Sequence, residues 1–230
     1  MRVSYPGHWK IFVIAAVGMI ASGPLMADDS GLPPGSQKTP KEGGPRRLEV
    51  VASKAALHES PSSGSNLIDT FEQGTVFSNM GCDGPADQIW CEVRPFRGGA
   101  KGYVRSKVLQ AARGPDGNVP MGEDTSKGRA GKRDFDAKGT IACAQERGQA
   151  LGSCSAAVAR DTGGDATIVV TFANGFERKL YFVHGEFVRA SATMSGVGRD
   201  IDWRLQEGIH MLRVDDQRFE LPDAFVFQRQ

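Results

Sequence analysis

Ala166-Thr167-Ile168-Val169-Val170-Thr171-Phe172-Ala173-Asn174-Gly175-Phe176-Glu177-Arg178-Lys179-Leu180-Tyr181-Phe182-Val183 is the stretch that decides the fold class. Two runs rich in β-branched and aromatic residues flank Asn-Gly. That dipeptide is the strongest short-range hairpin signal, because both turn positions ask for positive φ. His184-Gly185 then turns the chain into Glu186-Phe187-Val188-Arg189-Ala190, extending the hairpin to a three-stranded meander. Past a break at Gly196 and Gly198, Asp200-Ile201-Asp202-Trp203-Arg204-Leu205 alternates polar and apolar. Gly208-Ile209-His210-Met211-Leu212-Arg213-Val214, a turn at Asp215-Asp216, and Arg218-Phe219-Glu220-Leu221-Pro222 make a second meander. The pattern predicts an antiparallel β sandwich or barrel over residues 134–230.

Outward from this module the pattern lapses. Residues 111–133 hold seven Gly or Pro in 23 positions and no aromatic; residues 28–46 hold eight in 19 with one aliphatic side chain. Such segments bury too little apolar surface to offset the entropy of ordering them, so both read as flexible linkers, the first of them disordered. Between them, residues 47–110 contain Leu48-Glu49-Val50-Val51, Thr75-Val76-Phe77-Ser78-Asn79-Met80, Ile89-Trp90-Cys91-Glu92-Val93 and Gly102-Tyr103-Val104-Arg105. Four or five short strands in so short a span predict a small barrel. The whole is expected to be all-β, two modules joined by linkers.

Residues 1–27 have a different character. Arg2 and Lys10 precede a charge-free apolar run from Ile11 to Ala21, Pro24 breaks it, and small Ala27 stands before Asp28-Asp29. This is the layout of a secretory signal with cleavage after Ala27, a retained anchor being the alternative. Export makes the four cysteines a disulfide inventory before anything else. Proximity favours Cys82 with Cys91 and Cys143 with Cys154 among the three pairings. Neither pair has the C-x2-C spacing of a structural zinc site, so no metal is expected. The Cys82–Cys91 bridge would close a loop of roughly ten residues and contribute roughly 2 to 3 kcal/mol.

The run Ala56-Leu57-His58-Glu59-Ser60-Pro61-Ser62, the centre Leu67-Ile68-Asp69-Thr70-Phe71-Glu72-Gln73-Gly74-Thr75-Val76, Trp90 followed by Glu92-Val93, and the closing Gly102-Tyr103-Val104-Arg105-Ser106-Lys107-Val108-Leu109 come in one order. Together they resemble the bacterial SH3 (SH3b) family across nearly all of residues 47–110. The closing tryptophan of that family is Tyr103 here, and its R-x-G-P is Glu59-Ser60-Pro61. The resemblance implies a small SH3-like β-barrel that binds peptides or cell-wall polymers without catalysis. Trp90 and Tyr103, each an apolar body with a polar tip, are the candidate ligand-binding aromatics, with Arg105 beside them. Packing in the small core is the competing role for both rings. In the second module, Gly139-Thr140-Ile141-Ala142-Cys143-Ala144, Val158-Ala159-Arg160 and Gly164-Asp165-Ala166-Thr167-Ile168-Val169-Val170 loosely resemble a C-terminal β domain of uncharacterised secreted proteobacterial proteins, which implies no activity.

Catalytic chemistry is hard to assemble from what remains. No G-x-S-x-G serine motif occurs, and pairing His184 or His210 with a cysteine nucleophile would leave an odd thiol. Asp200, Asp202, Asp215 and Asp216 lack the loop pattern of a calcium site and read as a solvated face. Lys127, Arg129, Lys132 and Arg133 form the only basic concentration and read as solvated linker. A formal net charge of +1 over 230 residues argues against nucleic acid as a partner. The expected protein is a periplasmic or extracellular, non-catalytic envelope component without cofactor. Its SH3b-like module would bind peptidoglycan or an envelope peptide, with no transmembrane segment once the signal is removed. A periplasmic protein-binding or inhibitor module is the alternative, and an envelope hydrolase a more distant one.

Overall fold

The computed structural model describes residues 37–228 except Ser195 and Arg199. The expected export signal and the first part of the 28–46 stretch lie outside the described residues. The fold is all-β, in two antiparallel sheets. No helix among the described residues is long and apolar enough to cross a membrane.

The first sheet contains β1 (Arg47–Val50), β2 (Lys54–His58), β3 (Leu67–Glu72), β4 (Val76–Asp83), β5 (Trp90–Pro95), β6 (Gly102–Arg105) and β7 (Leu109–Ala111), in the order β3-β2-β6-β5-β4-β1-β7. Its interior is filled by Leu48, Leu57, Phe77, Cys91, Val93 and Val104, each at most 1% exposed. The β4–β5 hairpin brings Cys82 opposite Cys91, and the two are bonded. The second expected bridge, Cys143–Cys154, links β8 to β9. All four cysteines are therefore oxidised, which points to an oxidising compartment.

The second sheet contains β8 (Ala137–Ala144), β9 (Gly152–Asp161), β10 (Asp165–Thr171), β11 (Glu177–Val183), β12 (Glu186–Ala190), β13 (Ile201–Gln206), β14 (Ile209–Val214) and β15 (Gln217–Pro222). The two expected meanders form one sheet, not two, because β15 returns to pair with β8 through Phe219 and Cys143. The sheet curls on itself: the rings of Phe182 on β11 and His210 on β14 lie 5.1 Å apart, although four strands separate β11 from β14. One end of this open barrel is filled by the short helix α2 (Asp223–Phe227), whose Val226 is fully buried. Arg160 donates to the carbonyls of Phe225 and Val226 and fixes the helix there.

The Asn174-Gly175 turn differs from its expected form. Only Gly175 has positive φ, and Phe172 and Phe176 bracket a three-residue loop through an amide–carbonyl bond of 2.9 Å. The two-residue turns with both φ positive are His184-Gly185 and Glu207-Gly208.

The stretches read as linkers are ordered where described. Helix α1 (Ser126–Gly131) lies on β9 and β10, with Ala130 buried against Ala159 and Val169 and the Ser126 and Thr167 hydroxyls 2.9 Å apart. Lys127 pairs with Asp124, Arg129 with Asp134 and Asp136, and Arg133 with Glu177, so three of the four residues in the basic concentration are neutralised locally and it is not a solvated tether. Composition misleads here because these segments contribute polar backbone, not apolar area. Arg46 donates to the carbonyls of Gly122 and Glu123 and pairs with Asp161 and Asp165. Asp165, 1% exposed, also holds Arg47 at 2.6 Å and accepts from the His184 amide. Since Arg46 and Arg47 begin the first sheet and Asp165 begins β10, the junction between the sheets is a buried charge cluster.

Candidate functional site

Alternation along β5 sends Cys91 and Val93 into the first core and leaves Trp90 and Glu92 on the outer face. On β6 the same rule puts Val104 inside and Tyr103 and Arg105 outside. Register then pairs Trp90 with Arg105 and Glu92 with Tyr103 across the two strands. The three candidate residues therefore share one surface, and neither ring belongs to the core cluster.

Trp90 is nevertheless only 6% exposed. His58 meets it edge-on at 5.5 Å, and the Arg105 guanidinium lies 4.9 Å from its ring centroid. Arg105 thus holds the indole by a cation–π contact and does not itself line the groove beside it.

Trp90 and Tyr103 line a groove of about 610 Å³. Its opposite wall is residues 37–42, which composition assigned to a linker. Thr39 and Glu42 cap each other, with Pro40 at the first helical position of a single turn, Pro40–Glu42. The signature Thr39-Pro40-Lys41-Glu42 is legible in the sequence, though the wall it builds is not. Asn79 on β4 ties this segment down by donating to the carbonyls of Lys38 and Pro45, each at 2.8 Å. Gly81 permits the close approach: a Cβ there would stand 2.9 Å from the Thr39 methyl.

The charged side chains lining the groove are Glu42, Asp83 and Glu92. The Thr39 hydroxyl holds the Glu42 carboxyl below the usual carboxylate range. Lys101 bonds Glu92 at 2.7 Å, which raises the lysine above its ordinary value. The surface suits an elongated ligand with an apolar portion over the rings and a cationic group near the carboxylates.

The other candidate chemistries come apart. With every cysteine in a disulfide there is no thiol for His184 or His210 to activate. His210 sits inside the second barrel between Trp203 and Asp223. Of the four aspartates, Asp200 pairs with Arg213, Asp215 with Arg178 and Asp216 with Arg147. Among the described residues no cluster of His, Cys, Asp and Glu is arranged to hold a metal ion. Comparisons with protein families, curated proteins and solved structures return no match.

Proposed function

We propose that this is an exported, non-catalytic envelope protein of the periplasm or cell exterior, whose first module, SH3b-like, binds a peptide or peptidoglycan-type ligand in the Trp90–Tyr103 groove. The observation that supports it is the placement of two large amphipathic rings on an outer face whose core is already filled without them. Aromatic anchors in a walled groove are the usual centres of binding energy. Glu92 being paired with Lys101, the carboxylates of Glu42 and Asp83 add a preference for ligands bearing amines, such as the free amino groups of wall peptides.

Co-sedimentation of the purified full chain with isolated sacculi tests this. Enrichment of the wild type, lost in Trp90→Ala and weakened by salt, is the expected result. Equal sedimentation of the two proteins removes the groove from the reading. A discrete stoichiometric protein captured by crosslinking, with no enrichment on sacculi, replaces the wall ligand with a protein partner.

A further inference from the structure

The second barrel has two unlike ends. The end beside the first module is filled by α2 and sealed by the charge cluster at Asp165. The other is ringed by the turns that follow β8, β10, β12 and β14, and it opens into a cavity of about 350 Å³. Two side chains reach into this mouth from strands on different sides of the barrel. Arg178 is on β11, in line with inward Leu180 and Phe182; Gln217 is on β15, in line with inward Phe219 and Leu221.

Both are polar side chains in apolar positions, and both have unused hydrogen-bonding capacity. Arg178 is 1% exposed; its Nη2 bonds Asp215 at 2.7 Å, while its Nε–H is buried and has no acceptor. Gln217 is 8% exposed and its buried Oε1 has no donor. Leaving such groups unmatched is costly, so proteins rarely retain them without use. Both residues line the mouth, and a ligand that enters by parting them from the barrel wall would find a donor on the β11 side and an acceptor on the β15 side. Phe176 and fully exposed Met194 form an apolar lip.

A donor and an acceptor lining one small cavity are the complement of the secondary amide, which presents C=O and N–H together. We propose that the distal mouth of the second module binds a small acylamino group. Arg178 donates to its carbonyl oxygen, Gln217 accepts from its N–H, and the acyl carbon rests on the Phe176–Met194 lip. The Asp215 carboxylate neutralises Arg178 and so favours a neutral amide over a free carboxylate. The site is separate from the Trp90 groove and does not depend on what that groove binds.

Titration of the isotope-labelled full chain, followed by amide chemical shifts, tests the proposal with two probes. N-acetylglucosamine carries the acetamido group on a sugar and N-acetyl-alanine amide carries it on a peptide unit. Glucosamine, which lacks it, is the control. Saturable shifts of residues 176–178 and 215–217 with at least one acetamido probe, and none with glucosamine, are expected. Which probe binds more tightly distinguishes a sugar source from a peptide source.

Gln217→Met keeps the side-chain length and removes the acceptor, and should weaken binding about tenfold or more while leaving the fold at least as stable. Arg178→Lys keeps the pair with Asp215 and loses the planar donor, and should weaken binding similarly. The proposal is overturned by the absence of saturable shifts with both probes, by shifts confined to the Trp90 groove, or by unchanged binding in Gln217→Met.

Discussion

The two modules differ in where their most prominent rings stand relative to the sheet. In the first, Trp90 and Tyr103 stand on the outer face and aliphatic residues with Phe77 fill the interior. In the second, Phe172, Phe182, Phe187 and Phe219 all point inward. A ring outside the core cluster can present an edge to a ligand even when, as for Trp90, little of it is exposed, whereas a ring inside a barrel chiefly stabilises it. The contrast places the proposed recognition on the surface of the first module and stability in the interior of the second.

The largest expected effect tests the interior half of that contrast. Phe182→Ala removes a ring packed against Phe187, His210 and Phe227, and should cost about 3 to 5 kcal/mol in denaturant unfolding. A loss below about 1 kcal/mol would mean the barrel is loosely packed, and the contrast would fail. Next comes the junction. Asp165→Asn leaves Arg46 and Arg47 buried without their shared carboxylate and should cost about 3 kcal/mol, read from the unfolding midpoint. Two separate transitions in the variant, where the wild type has one, would show that this cluster couples the modules.

Trp90→Ala tests the surface half. Its cost in the same unfolding assay should be about 2 to 3 kcal/mol, below that of Phe182→Ala, since the ring is only 6% exposed but lies outside the cluster of core side chains and packs on His58 and Arg105. A cost equal to that of Phe182→Ala would make Trp90 a core residue and break the comparison. The smallest effect concerns pH. Burial, reinforced by the positive charge of Arg47, holds the His184 imidazole below its ordinary value of 6.5, against the opposing pull of Asp165, Glu186 and Glu49. The folded state therefore takes up a proton less readily than the unfolded chain. The contribution is complete above the unfolded value and declines as pH falls through the depressed one. Melting temperature should drop between about pH 7 and about pH 5, and drop less in His184→Asn, a residue that tolerates the positive φ of 55° at this turn. Identical pH profiles for the two proteins would remove His184 from the account.

How much of this was legible depended on how strongly each segment reveals its environment. The six strands from β10 to β15 are alternating or fully apolar, so periodicity and turn residues suffice to place them. β3 exposes most of both faces, Leu67 included, and shows no clean alternation. β8 and β9 are built largely of Gly, Ala, Ser and Thr, which are weak strand signals, and they become strands because both lie between paired neighbours. Trp90 and Tyr103 were readable as candidates from residue type and from the SH3b resemblance. The wall facing them was not, because residues 37–42 gain order from Asn79 rather than from their own apolar content. Arg178 had a clue in the pattern: it stands two residues before Leu180 and four before Phe182, on the face that period two assigns to the interior.

The arginines at the start of the first sheet have a consequence for inheritance. Small β domains are often exchanged between genes as independent cassettes, each with its own core. Here a cut that separates the first barrel from the second strands Arg46 and Arg47 from Asp165 and takes the carbonyls of Gly122 and Glu123 away from Arg46. A transplanted first module would lose these ion pairs and carbonyl contacts and lay the junction open to water, so the unit that can be moved intact extends from the groove wall to the end of the second module.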